Sequence, residues 1–182
     1  MKMPIKMVVV TEGESDVLLL RALVGQQTDD TEFVKAGGWS AADSLARSYL
    51  VNGQHDVALV VDADTHEATT ADERRRFLTD SLGSVALRTR WQVFVLIPQI
   101  EGVLFEDTNV LASLVNRTVS ERDVYEGHFE PKRVLTRLTG RKPLAPLLQE
   151  RLPKIDLTPL HSVPEIQHLR QFLMGARKKV AA

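Results

Sequence analysis

Apolar residues are distributed over the first hundred positions in two alternating patterns. Short apolar runs occur at Ile5–Thr11 (IKMVVVT), Val57–Val61 (VALVV, mostly β-branched) and Trp91–Ile97 (WQVFVLI), with the shorter, more polar Glu32–Lys35 (EFVK) between the first two. Runs of this length predict strands, and those apolar at nearly every position predict strands buried on both faces. Between them, apolar residues recur at helical spacing. VLLLRALV follows Glu14-Ser15-Asp16 and predicts a helix stopped by Gly25. Ala42, Leu45, Ala46, Tyr49 and Leu50 share one helical face before Gly53, and Ser40 with Asp43 has capping-box spacing at its start. Thr70 and Glu73 repeat that spacing ahead of RRRFLTDSL and Gly83. The order β-α-β-α-β-α-β with short connections predicts right-handed crossovers. The expected fold is α/β, a Rossmann-like, mainly parallel four-stranded sheet with flanking helices.

From Asp107 the pattern becomes helical segments broken by Pro131, Pro143, Pro146, Pro153, Pro159 and Pro164. Val110–Val115, Lys132–Leu138, Leu144–Leu152 and Glu165–Leu173 are the predicted helices, with Asp107 or Thr108, Ser120 and Ser162 as start signals. The chain thus divides into an α/β domain over residues 1–106 and a C-terminal helical extension over 107–182, expected to pack on the sheet. The last stretch, GARKKVAA, reads as frayed and basic.

Composition narrows the function. The 182 residues hold no cysteine, which excludes disulfides, thiol catalysis and cysteine-ligated zinc. No apolar run approaches the roughly 18 residues of a membrane span, and the N-terminus carries no signal-peptide cleavage pattern, so the cytoplasm is the expected compartment. The net charge of −1 conceals an asymmetry. Residues 1–106 carry 10 Lys/Arg against 16 Asp/Glu, and residues 107–182 carry 13 against 8. An acidic first part and a basic second part fit a metal site beside a polyanion-binding surface, and equally two parts of one protein that attract each other.

The candidate chemistry lies where strands end. VALVV runs directly into Asp62-Ala63-Asp64, and the first strand runs into Glu12-Gly13-Glu14-Ser15-Asp16. In a parallel sheet these ends open into the ligand crevice. Carboxylates this close need a cation or hydrogen-bond donors, and hard oxygen ligands suit Mg²⁺ or Mn²⁺. The alternative is an acidic loop that caps the next helix. For Asp16, in the first turn of its helix, capping is the stronger reading; Glu12 has no equivalent structural role. Glu101, after the fourth strand, is either a helix-start residue or a site residue. Arg74, Arg75 and Arg76 read as a solvated helix face. The five histidines lack ligand spacing, although His66 lies two residues from Asp64. No P-loop, no G-x-G-x-x-G after the first strand and no G-x-S-x-G elbow is present.

T-E-G-E-S-D after a strand, followed by V-V-D-A-D at the end of a later one, resembles the Toprim domain. That acidic, metal-binding domain is shared by topoisomerases, bacterial primases, small ribonucleases and OLD-type nucleases. Glu12 matches its glutamate, Asp62 and Asp64 its DxD pair, and Gly13 its turn. The EGESD form, Gly37-Gly38 and the stretch Pro98-Gln99-Ile100-Glu101-Gly102-Val103-Leu104 are most similar to the OLD-type branch and its small stand-alone relatives. The resemblance covers residues 5 to about 106. It implies a metal-dependent nuclease acting on DNA or RNA, with Glu12, Asp62 and Asp64 as catalytic metal ligands and Glu101 and Asp16 as further metal or supporting groups. It also implies a role in phage defence or repair.

A phosphate contact would come from Lys35, Arg88, Lys132 or Arg133. OLD-type nucleases pair Toprim with an ATPase domain, so a separate ATPase subunit is an expected partner. Two alternatives stand beside this reading. One is a non-catalytic Toprim-like subunit that binds nucleic acid or that ATPase. The other is a small-molecule phosphatase of α/β fold using one of the aspartates as nucleophile.

Overall fold

The structure is a computed structural model that describes residues 7–25, 30–86, 88–140 and 143–175. Ile5 and Lys6 of the first predicted strand, and residues 176–182 of the basic tail, lie outside the described residues. Four strands form one all-parallel sheet: β1 (Met7–Thr11), β2 (Thr31–Lys35), β3 (Asp56–Asp62) and β4 (Trp91–Leu96). Their spatial order is β2-β1-β3-β4. The chain moves from β1 outward to β2, then crosses back to β3 and on to β4. The order therefore reverses between β1 and β3, and a crevice at the carboxyl ends of these two strands follows from that reversal. The α/β, Rossmann-like expectation holds.

Strand alternation builds two cores. Met7, Val9, Ala58, Val60, Phe94 and Leu96 face one side of the sheet, and Val8, Val10, Val57, Leu59, Val61, Val93 and Val95 the other. The second face is covered by α2 (Trp39–Asn52) and α3 (Ala68–Gly83) through Ala42, Ala46, Leu50, Ala71, Leu78 and Leu82. The first is covered by α1 (Glu14–Val24) through Leu19, Leu20 and Leu23. The rest of that cover comes from the chain beyond β4: a 3-10 helix (Ile100–Phe105), α4 (Thr108–Val115), α5 (Glu121–Phe129), α6 (Pro131–Thr139), α7 (Ala145–Arg151) and α8 (Pro164–Gly175). Their buried residues, among them Phe105, Leu111, Leu135, Leu148 and Leu169, belong to the same core as α1 and the sheet. Among the described residues, no helix is long and apolar enough to cross a membrane.

Several boundaries differ from the sequence reading. Ser40 does not cap α2: the helix starts at Trp39, with Gly38 in the cap position, and Asp43 turns inward to accept a hydrogen bond from Ser81 Oγ at 3.0 Å. Thr70 and Glu73 do not open α3, which begins at Ala68; Thr70 Oγ1 donates instead to Glu67 Oε2. Ser162 belongs to a 3-10 turn, Thr158–Ser162, that ends before α8. α5 was not among the predicted helices. Only Gly127 is buried on it, so no apolar stripe marks it, although Ser120 and Asp123 form its capping box. Asp107 caps α4 by accepting from the N–H groups of Asn109 and Val110.

Candidate metal centre

Local backbone demands bring the acidic residues together at the β1/β3 crevice. Gly37 (φ 97°) and Gly38 (φ 126°) adopt a conformation that side chains resist, and their N–H groups both donate to the Glu12 carbonyl. This ties the loop after β2 to the exit of β1. At the exit of β3, Ala63 N–H donates to the Leu96 carbonyl and Asp64 N–H to the Pro98 carbonyl, both at 2.8 Å. Pairing with the β4 side thus continues past the end of the strand. Asp64 sits at φ 52°, one of two non-glycine residues with positive φ among those described. Aspartate tolerates this region better than most side chains.

Asp62, at the last position of β3, is buried. Its Oδ1 accepts from Ile100 N–H at 2.8 Å and its Oδ2 from Lys132 Nζ at 2.7 Å. Glu12 Oε1 in turn accepts from Asp62 N–H at 2.8 Å, so the strand ends carrying these two acids are joined directly. Asp16, one turn into α1, is buried and accepts from Gly13 N–H, which is the capping role expected of it. It also reaches the centre: Asp16, Asp62 and Glu101 each present a carboxylate oxygen, all within 4.8 Å of one another. Glu101 is fully buried on the 3-10 helix, and both of its side-chain oxygens lack a hydrogen-bond partner. Its neighbour is Lys132 Nζ, at 3.6 Å.

Electrostatics record the strain of this packing. Burial pushes the Glu101 carboxyl up to about 7, with Lys132 opposing the shift. Burial also raises Asp62 and Glu12 above the usual carboxylate range. For Lys132, burial disfavours the charge, but the carboxylates of Glu101 and Asp62 outweigh it and hold the amine above its ordinary value. The centre therefore contains more carboxylate than its one lysine neutralises. The pair of bare, buried oxygens on Glu101 is the feature a divalent cation with oxygen ligands would satisfy.

The site residues read from the sequence divide accordingly. Asp62, Glu101 and Asp16 form the closest set. Glu12 stands beside it, half-buried and bonded to Asp62. Asp64 is on the rim, its Oδ1 accepting from Gln99 Nε2 at 3.1 Å and its Oδ2 3.6 Å from Arg74. Lys132 directs its Nζ at the Asp62 and Glu101 carboxylates while its side chain stays 40% exposed along the cleft. Arg133 borders a cleft of ≈ 280 Å³ above them, also lined by Asp64, His66, Gln99, Phe129 and Lys132. Lys35 is exposed and paired with Glu14. Arg88 precedes β4, at the far end of the strands from the carboxylates, and takes no part. The reading of Arg74 as a solvated face is overturned: its Nη1 donates to the Asp62 carbonyl at 2.7 Å. Nothing within the run Arg74-Arg75-Arg76 marks one arginine from the others. The signal lies in the fold, because side chains in the first turns of α3 lean back toward the helix N-terminus, where β3 ends.

Fold and site together define a doubly wound α/β protein with a buried acidic centre at its topological switch point. No protein-family model, curated protein or solved structure matches the chain.

Proposed function

We propose that this protein is a divalent-metal-dependent nuclease of Toprim type that hydrolyses phosphodiester bonds in DNA or RNA and acts in the cytoplasm. Asp16, Asp62 and Glu101 would hold Mg²⁺ or Mn²⁺, with Glu12 and Asp64 at the margin. The observation that carries this reading is Glu101: a fully buried carboxylate, without a hydrogen bond, directed at two others. A cation held there supplies a Lewis acid for the phosphate and a water of lowered pKa. The chain's own groups prepare the place. Glu12 fixes the end of β3 through the Asp62 N–H, Arg74 holds the Asp62 carbonyl, and Ile100 N–H orients the Asp62 carboxylate. Lys132 keeps a positive charge beside Asp62, where a phosphate oxygen can share it. The resemblance of TEGESD and VVDAD to Toprim supports the same reading.

One observation favours a second reading. Lys132 already takes Asp62 Oδ2 and lies near Glu101, as the counter-ion of a centre that needs no metal would do. The protein would then be a non-catalytic Toprim-like subunit that binds nucleic acid or a separate ATPase. Cleavage of labelled plasmid, single-stranded DNA and RNA with Mg²⁺, Mn²⁺ or EDTA, alongside Asp62→Asn, separates the two. Metal-dependent cutting that Asp62→Asn abolishes is the expected result. Absence of cutting on every substrate, with or without a calorimetric signal for either metal, would overturn the nuclease reading in favour of the subunit.

A further inference from the structure

Two groups of exposed aromatic rings adjoin the acidic centre, one carried by α2 and α3 and the other by α5 and the loop after β3. In the first, Trp39 meets Phe77 edge to face at 6.0 Å, and the Arg74 guanidinium lies 5.7 Å from the Trp39 ring. The same Arg74 touches Asp62 and Asp64, so this group adjoins the centre directly. In the second, His66 stacks obliquely on Phe129 at 5.2 Å, and Phe129 on Tyr125 at 5.2 Å. His66 and Phe129 line the cleft that also contains Asp64, Lys132 and Arg133. Among the described residues, seven large hydrophobic side chains are exposed: Trp39, Val51, Phe77, Ile97, Tyr125, Phe129 and Met174. Four of these seven are the rings of the two groups.

Resting on the nuclease reading, we infer that the substrate is a single-stranded polynucleotide, its bases stacked on Trp39–Phe77 and on His66–Phe129–Tyr125 and its backbone crossing the acidic centre between them. Three features select this occupant. The apolar rings are divided by a charged cleft, whereas a protein-docking patch is contiguous. Each group has a cation beside it, Arg74 at Trp39 and Arg133 lining the cleft with Phe129. Arg74 is also held by Asp64 and Arg133 by Glu130, and these are surface pairs whose charge a phosphate between stacked bases can share. Bases in a duplex are already stacked and present no free face to such rings. Exposed rings in both groups thus match a strand whose bases are unpaired.

The test is binding without cleavage, on full-length protein, using metal-free wild type and Asp62→Asn. Tryptophan fluorescence would be titrated with single-stranded DNA, single-stranded RNA and a duplex of one sequence. Trp39 is the exposed reporter; the second tryptophan, Trp91, is half-buried at the opposite end of the sheet. Quenching by single strands, at least roughly 10-fold tighter than by duplex, is expected. Trp39→Ala should abolish the quench, and Phe129→Ala and Tyr125→Ala should each weaken binding by roughly 5- to 100-fold, the range that stacking on one ring spans. The preferred arm identifies DNA or RNA. Equal binding of duplex and single strand, or single-strand binding unchanged in Phe129→Ala and Tyr125→Ala, would overturn the inference. Duplex cleavage without single-strand binding would sink it and leave the nuclease reading intact. Single-strand binding without cleavage under any metal would sustain it and remove the nuclease reading.

Discussion

Lys132 Nζ stands 2.7 Å from Oδ2 of Asp62, a residue 70 positions earlier in the chain. This contact joins the helical extension to the acidic centre of the sheet. α6 presents its apolar side to the core through Val134, Leu135 and Leu138, and its first turn extends one cation over the switch point. The basic half of the sequence thereby supplies the acidic half with a specific counter-charge. The charge asymmetry reflects attraction within the molecule, at least at this position.

Lys132→Met leaves Asp16, Asp62 and Glu101 without a cation. Breaking a buried ion pair costs about 3–5 kcal/mol, but the Lys132 side chain is 40% exposed, which screens the pair and brings the expected loss to roughly 1–3 kcal/mol near pH 8. Chemical denaturation would measure it. On the proposed metal reading, Mg²⁺ should restore more stability to the variant than it adds to wild type, since a cation would no longer compete with the amine. Equal Mg²⁺ effects in both proteins would place the metal elsewhere.

Asp64 lies at φ 52° with an exposed carboxylate. Asp64→Asn keeps a side chain that this backbone region accepts and removes the charge. Its melting temperature should stay within about 2 °C of wild type, corresponding to a change under ~0.5 kcal/mol. Asp64→Val should lose on the order of 1–2 kcal/mol through backbone strain alone. A severe loss of stability in Asp64→Asn would show that the charge, and not the turn, is what the fold requires. On the nuclease reading, cleavage by the folded Asn variant would then report whether the rim carboxylate contributes to catalysis.

The sheet was legible because β1, β3 and β4 are apolar on both faces and separated by helices, whereas β2 buries only Phe33 and is a shorter, more polar run. The positions of Glu12, Asp62 and Glu101 at strand exits followed from the same pattern. Two things were not legible. One was which carboxylates converge: Asp16 has a sufficient local role as a cap, and nothing in its spacing reports that α1 also directs it at Asp62. The other was the contribution of residues whose partners lie far along the chain. Arg74 resembles its neighbours Arg75 and Arg76 in sequence, and Lys132 and Arg133 are adjacent lysine and arginine with opposite fates. Lys132 enters the carboxylates, while Arg133 pairs with Glu130 at the surface. Helix phase decides both cases, and the phase becomes known only when the packing is.

Gly127 is the one buried residue of α5, and a Cβ added there would overlap the Phe105 ring. In an exposed helix Gly→Ala gains about 1 kcal/mol. Here the sign reverses, because Phe105 is itself fully buried and has no room to withdraw. Gly127→Ala should destabilise by roughly 1–3 kcal/mol in denaturant titration. Since α5 carries Tyr125 and Phe129, single-strand binding should weaken in the same variant. A neutral or stabilising Gly127→Ala would contradict the close approach of α5 to Phe105.

Glu101 gives the centre its pH dependence. Burial raises its carboxyl from an ordinary 4.5 to about 7, so between these values the folded protein holds a proton that the unfolded chain has released. Stability of the metal-free protein therefore falls as pH rises through this window, and the penalty is complete above about pH 7. A displacement of this size corresponds to about 3 kcal/mol. The raised pKa values of Asp62 and Glu12 act in the same direction. Lys132, whose pKa is raised from 10.5, stays charged across the window and adds no slope there. On the proposed metal reading a divalent cation would bind the deprotonated carboxylates, so Mg²⁺ or Mn²⁺ should stabilise the protein more at pH 8 than at pH 5, and EDTA should reverse the gain. Thermal melts at both pH values, with and without metal, measure each part. Glu101→Gln removes the most strongly shifted group while keeping its volume, so it should reduce the metal-free slope to what Asp62 and Glu12 contribute and reduce the metal gain with it. A variant with the reduced slope but the full metal gain would mean that the cation is held by Asp62 and its other neighbours without Glu101.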